Sequence, residues 1–138
     1  MTATARYVFD SFALLAFLGD EPGAGHVRDM MARSQSQTAT IFLSVINFGE
    51  CLYIVEREQG FNMAHLALAA IDHLPIEIVP ATRERVLAAA HLKARHRFAY
   101  ADAFTAALAQ EYHAVVVTGD PEFKNLEPLI PIFWLPHR

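Results

Sequence analysis

Short apolar runs alternate with helix-length segments along almost the whole chain, and that alternation constrains the fold more than any single motif. The segment "RYVFD" reads as a strand, "SFALLAFLGD" opens a helix with Ser11 as its cap, and "EPGAGHVRDMMARSQ" carries Pro22 near the start of a second helix. A second strand, "TIFLS", leads into "VINFGECLYIVEREQG", a helical stretch that stops at Gly60, and another helix starts from Asn62 in "NMAHLALAAIDHL". "IEIVP" is the third strand, "TRERVLAAAHLKARH" and "YADAFTAALAQEY" are Ala-rich helices, "AVVVTG" is the fourth strand, and "PIFWL" is a short terminal one. Strands separated by crossover helices imply an α/β class, with a doubly wound, mainly parallel sheet of four to five short strands covered by helices on both faces.

In an open sheet of this kind the ligand site lies beyond the carboxyl ends of the strands, where the winding direction reverses. That rule directs attention to the acids. Asp10 ends the first strand and Asp120 follows the fourth by two residues, so both belong to the carboxyl edge. Glu50 lies in the helix after the second strand, with Asn47 one turn earlier and about 60° away around it. Asp102 sits in the first turn of its helix, where a carboxylate suits the helix dipole. Read alone, Asp102 is a first-turn charge and Asp120 a turn residue ahead of Pro121. Glu50 and Asp10 are harder to explain that way, because both are set among apolar neighbours and unpaired carboxylates are rarely buried.

Four carboxylates gathered without cations would repel one another and tend to take up protons. A divalent ion removes that conflict, and an all-oxygen donor set suits Mg²⁺ or Mn²⁺. Two such ions would contribute +4 against the formal net charge of −4, so the acidic balance does not exclude a nucleic-acid substrate. Five of the eleven Lys and Arg residues, Arg83, Arg85, Lys93, Arg95 and Arg97, fall in one short segment. That segment reads equally as a phosphate-facing stripe or as a solvated helix face.

The remaining composition is that of an ordinary intracellular domain. A chain of 138 residues that is 54% hydrophobic is expected to fold as one domain. Cys51, the single cysteine, has no disulfide partner, and no zinc-ligand spacing is present. The apolar segment Phe12–Leu18 is far shorter than the roughly 20 residues of a membrane span. A cytoplasmic location with no membrane association is therefore the expectation.

The segments "YVFDSFALLAFLGDEPGA", "LSVINFGECLY", "FAYADAFTAALA" and "VVVTGDPEFKNLE", in that order and spacing, resemble the PIN-domain ribonucleases, especially the toxins of VapBC-type toxin–antitoxin pairs. The likeness implies a single PIN domain over residues 1–138, with Asp10, Glu50, Asp102 and Asp120 as the metal-binding catalytic acids. It makes Thr118 a supporting hydroxyl beside the site and Asn47 a supporting polar residue one turn before Glu50. It also implies a Mg²⁺- or Mn²⁺-dependent endoribonuclease acting on RNA, often transfer RNA, a homodimer, and inhibition by a cognate antitoxin that covers the site. An antitoxin Arg could pair with Asp10, Glu50 and Asp102, and its helix could lie on "FALLAFLGD" and "LYIVEREQG". Two positions depart from the commonest pattern: Phe12 stands where many members have a small residue, and Ala99 where many have Ser.

Other readings fit less of the chain. A phospho-acceptor receiver domain needs an acidic pair before the acceptor and a Lys after its fifth strand, and neither is in place. A nucleotide-binding loop is contradicted by "GDEPGAG", which follows a helix. A catalytically inactive PIN-like binding module is the alternative of a different class, distinguished by a metal-dependent cleavage assay. Glu122 reads as an exposed turn acid that could reach a metal through a water, and His91 and His96, about 140° apart on a helix, cannot readily share a ligand. The aromatic side chains Phe61, Phe98, Tyr100 and Trp134 could stack on bases in an RNA groove, but aromatic residues in an α/β domain are mostly core, and none is assigned to the site.

Overall fold

The computed structural model describes residues 4–136. Five strands, β1 (Ala5–Phe9), β2 (Ala39–Ser44), β3 (Glu77–Val79), β4 (Val115–Thr118) and β5 (Ile132–Trp134), form one sheet in the order β3-β2-β1-β4-β5. Every pairing is parallel. The helices are α1 (Ser11–Leu18), α2 (Ala24–Gln35), α3 (Val45–Gln59), α4 (Phe61–Asp72), α5 (Arg83–Arg95) and α6 (Tyr100–Tyr112), with a 3₁₀ segment at Pro121–Leu126. The chain winds from β1 outward to β3, then returns past β1 to β4, so the direction reverses between β1 and β4. Right-handed crossovers require the helices of the two halves to lie on opposite faces.

The packing follows that requirement. Strand side chains alternate between faces, and the register sets like with like: Val8 is level with Phe42 and Val116, and Phe9 with Leu43 and Val117. Val8, Phe42, Val79 and Val116 pack with α5, α6 and the 3₁₀ segment in one core. Phe9, Ile41, Leu43 and Val117 pack with residues of α1, α2, α3 and α4 in the other. Helix α6 is buried at every position from Asp102 to Ala109, which explains its Ala content: small side chains let its backbone approach its neighbours closely. The rings of Phe42 and Tyr112 stack at 4.0 Å and 5°.

Two helix starts differ from the sequence reading. Asp10, not Ser11, caps α1, because its side chain accepts a hydrogen bond from the Ala13 N–H at 2.9 Å, while Ser11 is already helical. Helix α4 begins at Phe61, directly after Gly60, whose φ of 93° allows α3 and α4 to follow each other with no intervening loop.

One close contact locks β4 to α1. A Cβ on Gly119 would lie 2.3 Å from Cε1 of Phe12, so the ring occupies the place where any other side chain would begin. The bulky residue at position 12 is thus matched by the absence of a side chain at 119. Gly119→Ala is expected to cost about 1–3 kcal/mol of stability by overpacking. Most of that cost should vanish in a Phe12→Ala background, as a double-mutant cycle of chemical denaturation curves would show.

Candidate active site

The switch between β1 and β4 brings the carboxyl ends of these strands side by side, and the acids follow. Asp10, one residue past β1, is only 1% exposed. Its Oδ1 accepts from the Ala13 N–H, and its Oδ2 accepts from the Thr118 hydroxyl at the end of β4. The Thr118 oxygen in turn accepts from the Asp120 N–H at 2.9 Å. One hydroxyl thereby ties the loop after β4 to the carboxylate after β1. Asp120 caps the 3₁₀ segment through a 2.9 Å bond from the Glu122 N–H to its Oδ1.

Asp102 is buried in the first turn of α6, and one oxygen each of Asp102, Asp120 and Glu122 lie within 4.8 Å of one another. Glu122 is the exposed turn acid that the sequence suggests, and its carboxylate, two residues after Asp120 in the 3₁₀ segment, has an oxygen within this cluster. Its Oε2 also accepts from the Ala99 N–H at 3.2 Å. Glu122 therefore satisfies the start of α6 where Ala99 has no side-chain oxygen to do so.

Glu50 enters from α3. The Ser11 hydroxyl donates to its Oε1. Ser11 also accepts from Asn47 Nδ2 at 3.2 Å, and the Asn47 Oδ1 accepts from the Thr105 hydroxyl at 2.9 Å. Asn47 and Thr118 thus sit where the sequence put them, each bonded to a neighbour of an acid or to the acid itself. Ser11 and Thr105 were not recognised as part of the site: a Ser at a helix start and a Thr within an Ala-rich helix are both common for local reasons, and no sequence signal links them to Glu50. Cys51, under the same patch, donates weakly to the Ser11 carbonyl, and burial pushes its thiol up to about 12, so it is an inert core residue.

Electrostatics shows that the acids share one field. Burial, outweighing the bonds from Thr118 and Ala13, pushes the Asp10 carboxyl from 3.8 up to about 7, with the charges of Asp120 and Glu50 adding to the shift. Burial, then Asp10, Asp120, Glu50 and Glu122, pushes Asp102 up to about 8. None of the ion pairs among the described residues includes a site acid. The sequence-predicted acids Asp10, Glu50, Asp102 and Asp120 are therefore brought together, joined by Glu122. The donor set consists of carboxylate oxygens whose mutual repulsion no ion pair among the described residues relieves. A hard divalent cation fits those residues.

The five cations do not stay together. Arg85 forms a two-pronged pair with Glu111, with both N···O distances 3.0 Å, and also donates to the Pro80 carbonyl and the Tyr112 hydroxyl. Because Arg85 near the start of α5 meets Glu111 near the end of α6, the two helices run antiparallel. The end of α5 therefore lies by the start of α6, where Asp102 sits. Lys93, Arg95 and Arg97 are exposed at that end, and Arg83 at the far one. A thirteen-residue helix is roughly 20 Å long, too long for its two ends to face one phosphate.

An open parallel sheet with a cluster of acids at its switch point defines the class of this protein. The chain belongs to the PIN domain family, whose model matches residues 7–128. No curated protein sequence matches it closely. Among solved structures it is similar to VapBC2 from Rickettsia felis bound to a promoter DNA fragment (TM-score 0.75, 16% identity, covering 95% of this chain and 99% of that one). It is also similar to DNA-bound VapBC from Salmonella typhimurium (TM-score 0.73, 19% identity, 94% and 98% covered). A third is VapC20 of Mycobacterium tuberculosis, a sarcin–ricin loop cleaving toxin (TM-score 0.70, 18% identity, 86% and 92% covered). At these identities the likeness is one of fold. Among the described residues no helix is long and apolar enough to cross a membrane.

The raised carboxyl groups make stability depend on pH with a definite sign. Folded Asp10 and Asp102 hold their protons more tightly than the unfolded chain does. Their contribution favours folding below about pH 4 and is lost as pH rises through about 7 to 8. Asp102→Asn should therefore raise the melting temperature of the metal-free protein by several degrees near pH 9, about 1–3 kcal/mol, and change it little near pH 4. Thermal unfolding across that range checks it.

Proposed function

We propose that this single-domain protein is a cytoplasmic, metal-dependent endoribonuclease, the toxin of a toxin–antitoxin pair. The observation that carries the reading is the convergence of Asp10, Glu50, Asp102 and Asp120 on one cluster that shares a field, with no ion pair to any of them among the described residues. In this reading these four acids, with Glu122 beside Asp102 and Asp120, hold Mg²⁺ or Mn²⁺. Such an ion, when bound, polarises a phosphodiester, makes bound water more nucleophilic and stabilises the leaving oxygen. The protein's own part is positional. Thr118 and the Ala13 N–H fix the Asp10 carboxylate, Ser11 fixes one oxygen of Glu50, and the 3₁₀ turn holds Asp120 against Asp102. Lys93, Arg95 and Arg97, at the site end of α5, take the RNA backbone. The cleaving activity of the similar toxin VapC20 supports RNA as the substrate class.

Asp10→Asn should keep the fold and lose at least about 100-fold in cleavage of RNA, because the amide preserves shape but not the charge that holds a cation. Wild-type cleavage should require Mg²⁺ or Mn²⁺ and stop in EDTA. Undiminished cleavage in EDTA would sink the metal mechanism, and no cleavage with either ion would favour an inactive binding module. Neutralising Lys93, Arg95 and Arg97 together should flatten the salt dependence of RNA binding by about 2 logarithmic units per decade of salt. Neutralising Arg83 alone should leave that slope near the wild-type value.

An apolar groove of about 680 Å³ runs between α1, α3 and α4, lined by Phe12, Leu15, Leu18, Ile54, Met63 and Leu66 among others. It matches the two segments expected to receive an antitoxin helix. Phe12 both lines the groove and packs on Gly119, next to Asp120, so the groove adjoins the acid pocket. An amphipathic antitoxin helix in the groove, followed by an Arg reaching the carboxylates, fits that continuity. Leu66, which is 64% exposed, is a clean probe. Leu66→Asp should weaken antitoxin binding by tenfold or more and leave RNA cleavage by the free toxin unchanged, as titration calorimetry and a cleavage assay would show.

A further inference from the structure

We infer that Thr105 is a positioning residue for Glu50, acting through the buried Asn47 amide and the Ser11 hydroxyl. Thr105 and Asn47 are both 0% exposed, and Ser11 is 6% exposed, so water cannot stand in for a missing partner.

The direction of every bond in the chain follows from its end. An ionised carboxylate only accepts, so the Ser11 hydroxyl must donate its one proton to Glu50 Oε1. Ser11 can then only accept from Asn47, which turns the amide Nδ2 toward Ser11. The amide oxygen is left facing α6, and only a donor can satisfy it there. Thr105 supplies that donor at 2.9 Å. Three elements, α6, α3 and α1, are thus joined by hydrogen bonds that all point the same way and end on a proposed metal ligand.

Two features mark Thr105 as placed for this purpose. A Thr hydroxyl inside a helix has a local acceptor in the carbonyl one turn earlier, yet this one donates to Asn47, across the gap to α3. It also stands in the run Ala103, Phe104, Ala106, Ala107 on the fully buried stretch of α6, where Ala has the better propensity and Thr the added burden of a polar group. Among the described residues no buried side-chain N or O lacks a partner, so removing this hydroxyl would create the first such orphan at Asn47 Oδ1. The amide would then gain by rotating toward another donor, taking Nδ2 from Ser11 and freeing the Ser11 hydroxyl to turn to the Asn47 carbonyl, an acceptor already 3.4 Å away. Glu50 would lose the contact that sets its rotamer. Supporting contacts of this type are worth about 10–100-fold in metal affinity.

This inference rests on reading the acids as a metal site, so the test has one readout that does not need the metal. Thr105→Val keeps the shape and removes the donor; Thr105→Ser keeps the donor. Crystal structures of the metal-free wild type and both variants read the Ser11–Glu50 contact, and calorimetric titration with Mn²⁺ reads affinity. The expected result is a broken Ser11–Glu50 contact and at least about tenfold weaker Mn²⁺ binding in Thr105→Val, with both restored in Thr105→Ser. An intact contact in Thr105→Val overturns the inference, as does a broken contact with wild-type Mn²⁺ affinity, or a Ser variant that behaves like Val. If the wild type itself binds no Mn²⁺, the metal reading fails, and the metal-free structures alone decide the positioning claim. Should Thr105→Val not fold, Thr105→Ala replaces it in both measurements.

Discussion

Parallel pairing of β1 with both β2 and β4 places one strand, and the carboxylate that follows it, at the centre of the sheet. Everything distinctive about the site depends on that position. Asp10 is buried because the sheet extends on both sides of it and α1 closes over it. Its charge is tolerable because the neighbouring strand end offers a hydroxyl and its own helix offers an N–H. Hydrogen bonds do not fully offset the loss of water: burial still holds the carboxyl far above its ordinary range. The fold thus keeps a carboxyl group that resists ionisation at the centre of its sheet.

The two faces of the sheet divide the remaining work. On one face α5 and α6 pack against Val8, Phe42 and Val116, and the burial of α6 fixes Asp102 and Thr105 rigidly. On the other, α1, α3 and α4 leave an apolar groove lined in part by Phe12, whose ring packs on Gly119 beside Asp120. Asp102 is thus held in one layer and Glu50 in the other, with Asp10 between them at the end of the central strand. A ligand in the groove contacts Phe12, and Phe12 contacts the glycine beside Asp120.

Much of this was legible from the chain alone. Period and length placed the five strands and six helices, because a strand buried on both faces must be apolar throughout and a crossover must be long enough to return. Two of the four acids were visible as carboxylates in the wrong company, Asp10 between two apolar runs and Glu50 among Phe48, Cys51 and Leu52, whereas Asp102 and Asp120 stood out only through their placement and the family resemblance. Helix ends were less legible. Asp10 and Ser11 are both good caps, and only the backbone geometry shows that Asp10 takes the role.

What the sequence determined by itself was the set of elements and the residues that sit at their ends, since local propensity and hydrophobic period act over a few neighbouring positions. Tertiary structure decided which of those residues meet. Arg85 leaves the cation cluster because antiparallel packing of α5 on α6 sets Glu111 beside it, 26 residues away. Glu122 lies with Asp102 and Asp120 and accepts from the Ala99 N–H at the start of α6, 23 residues away. Thr105 reaches Asn47 across 58 residues of chain. Each of these is a short polar contact between distant segments, and neither periodicity nor composition carries information about a distance set by the packing of whole helices.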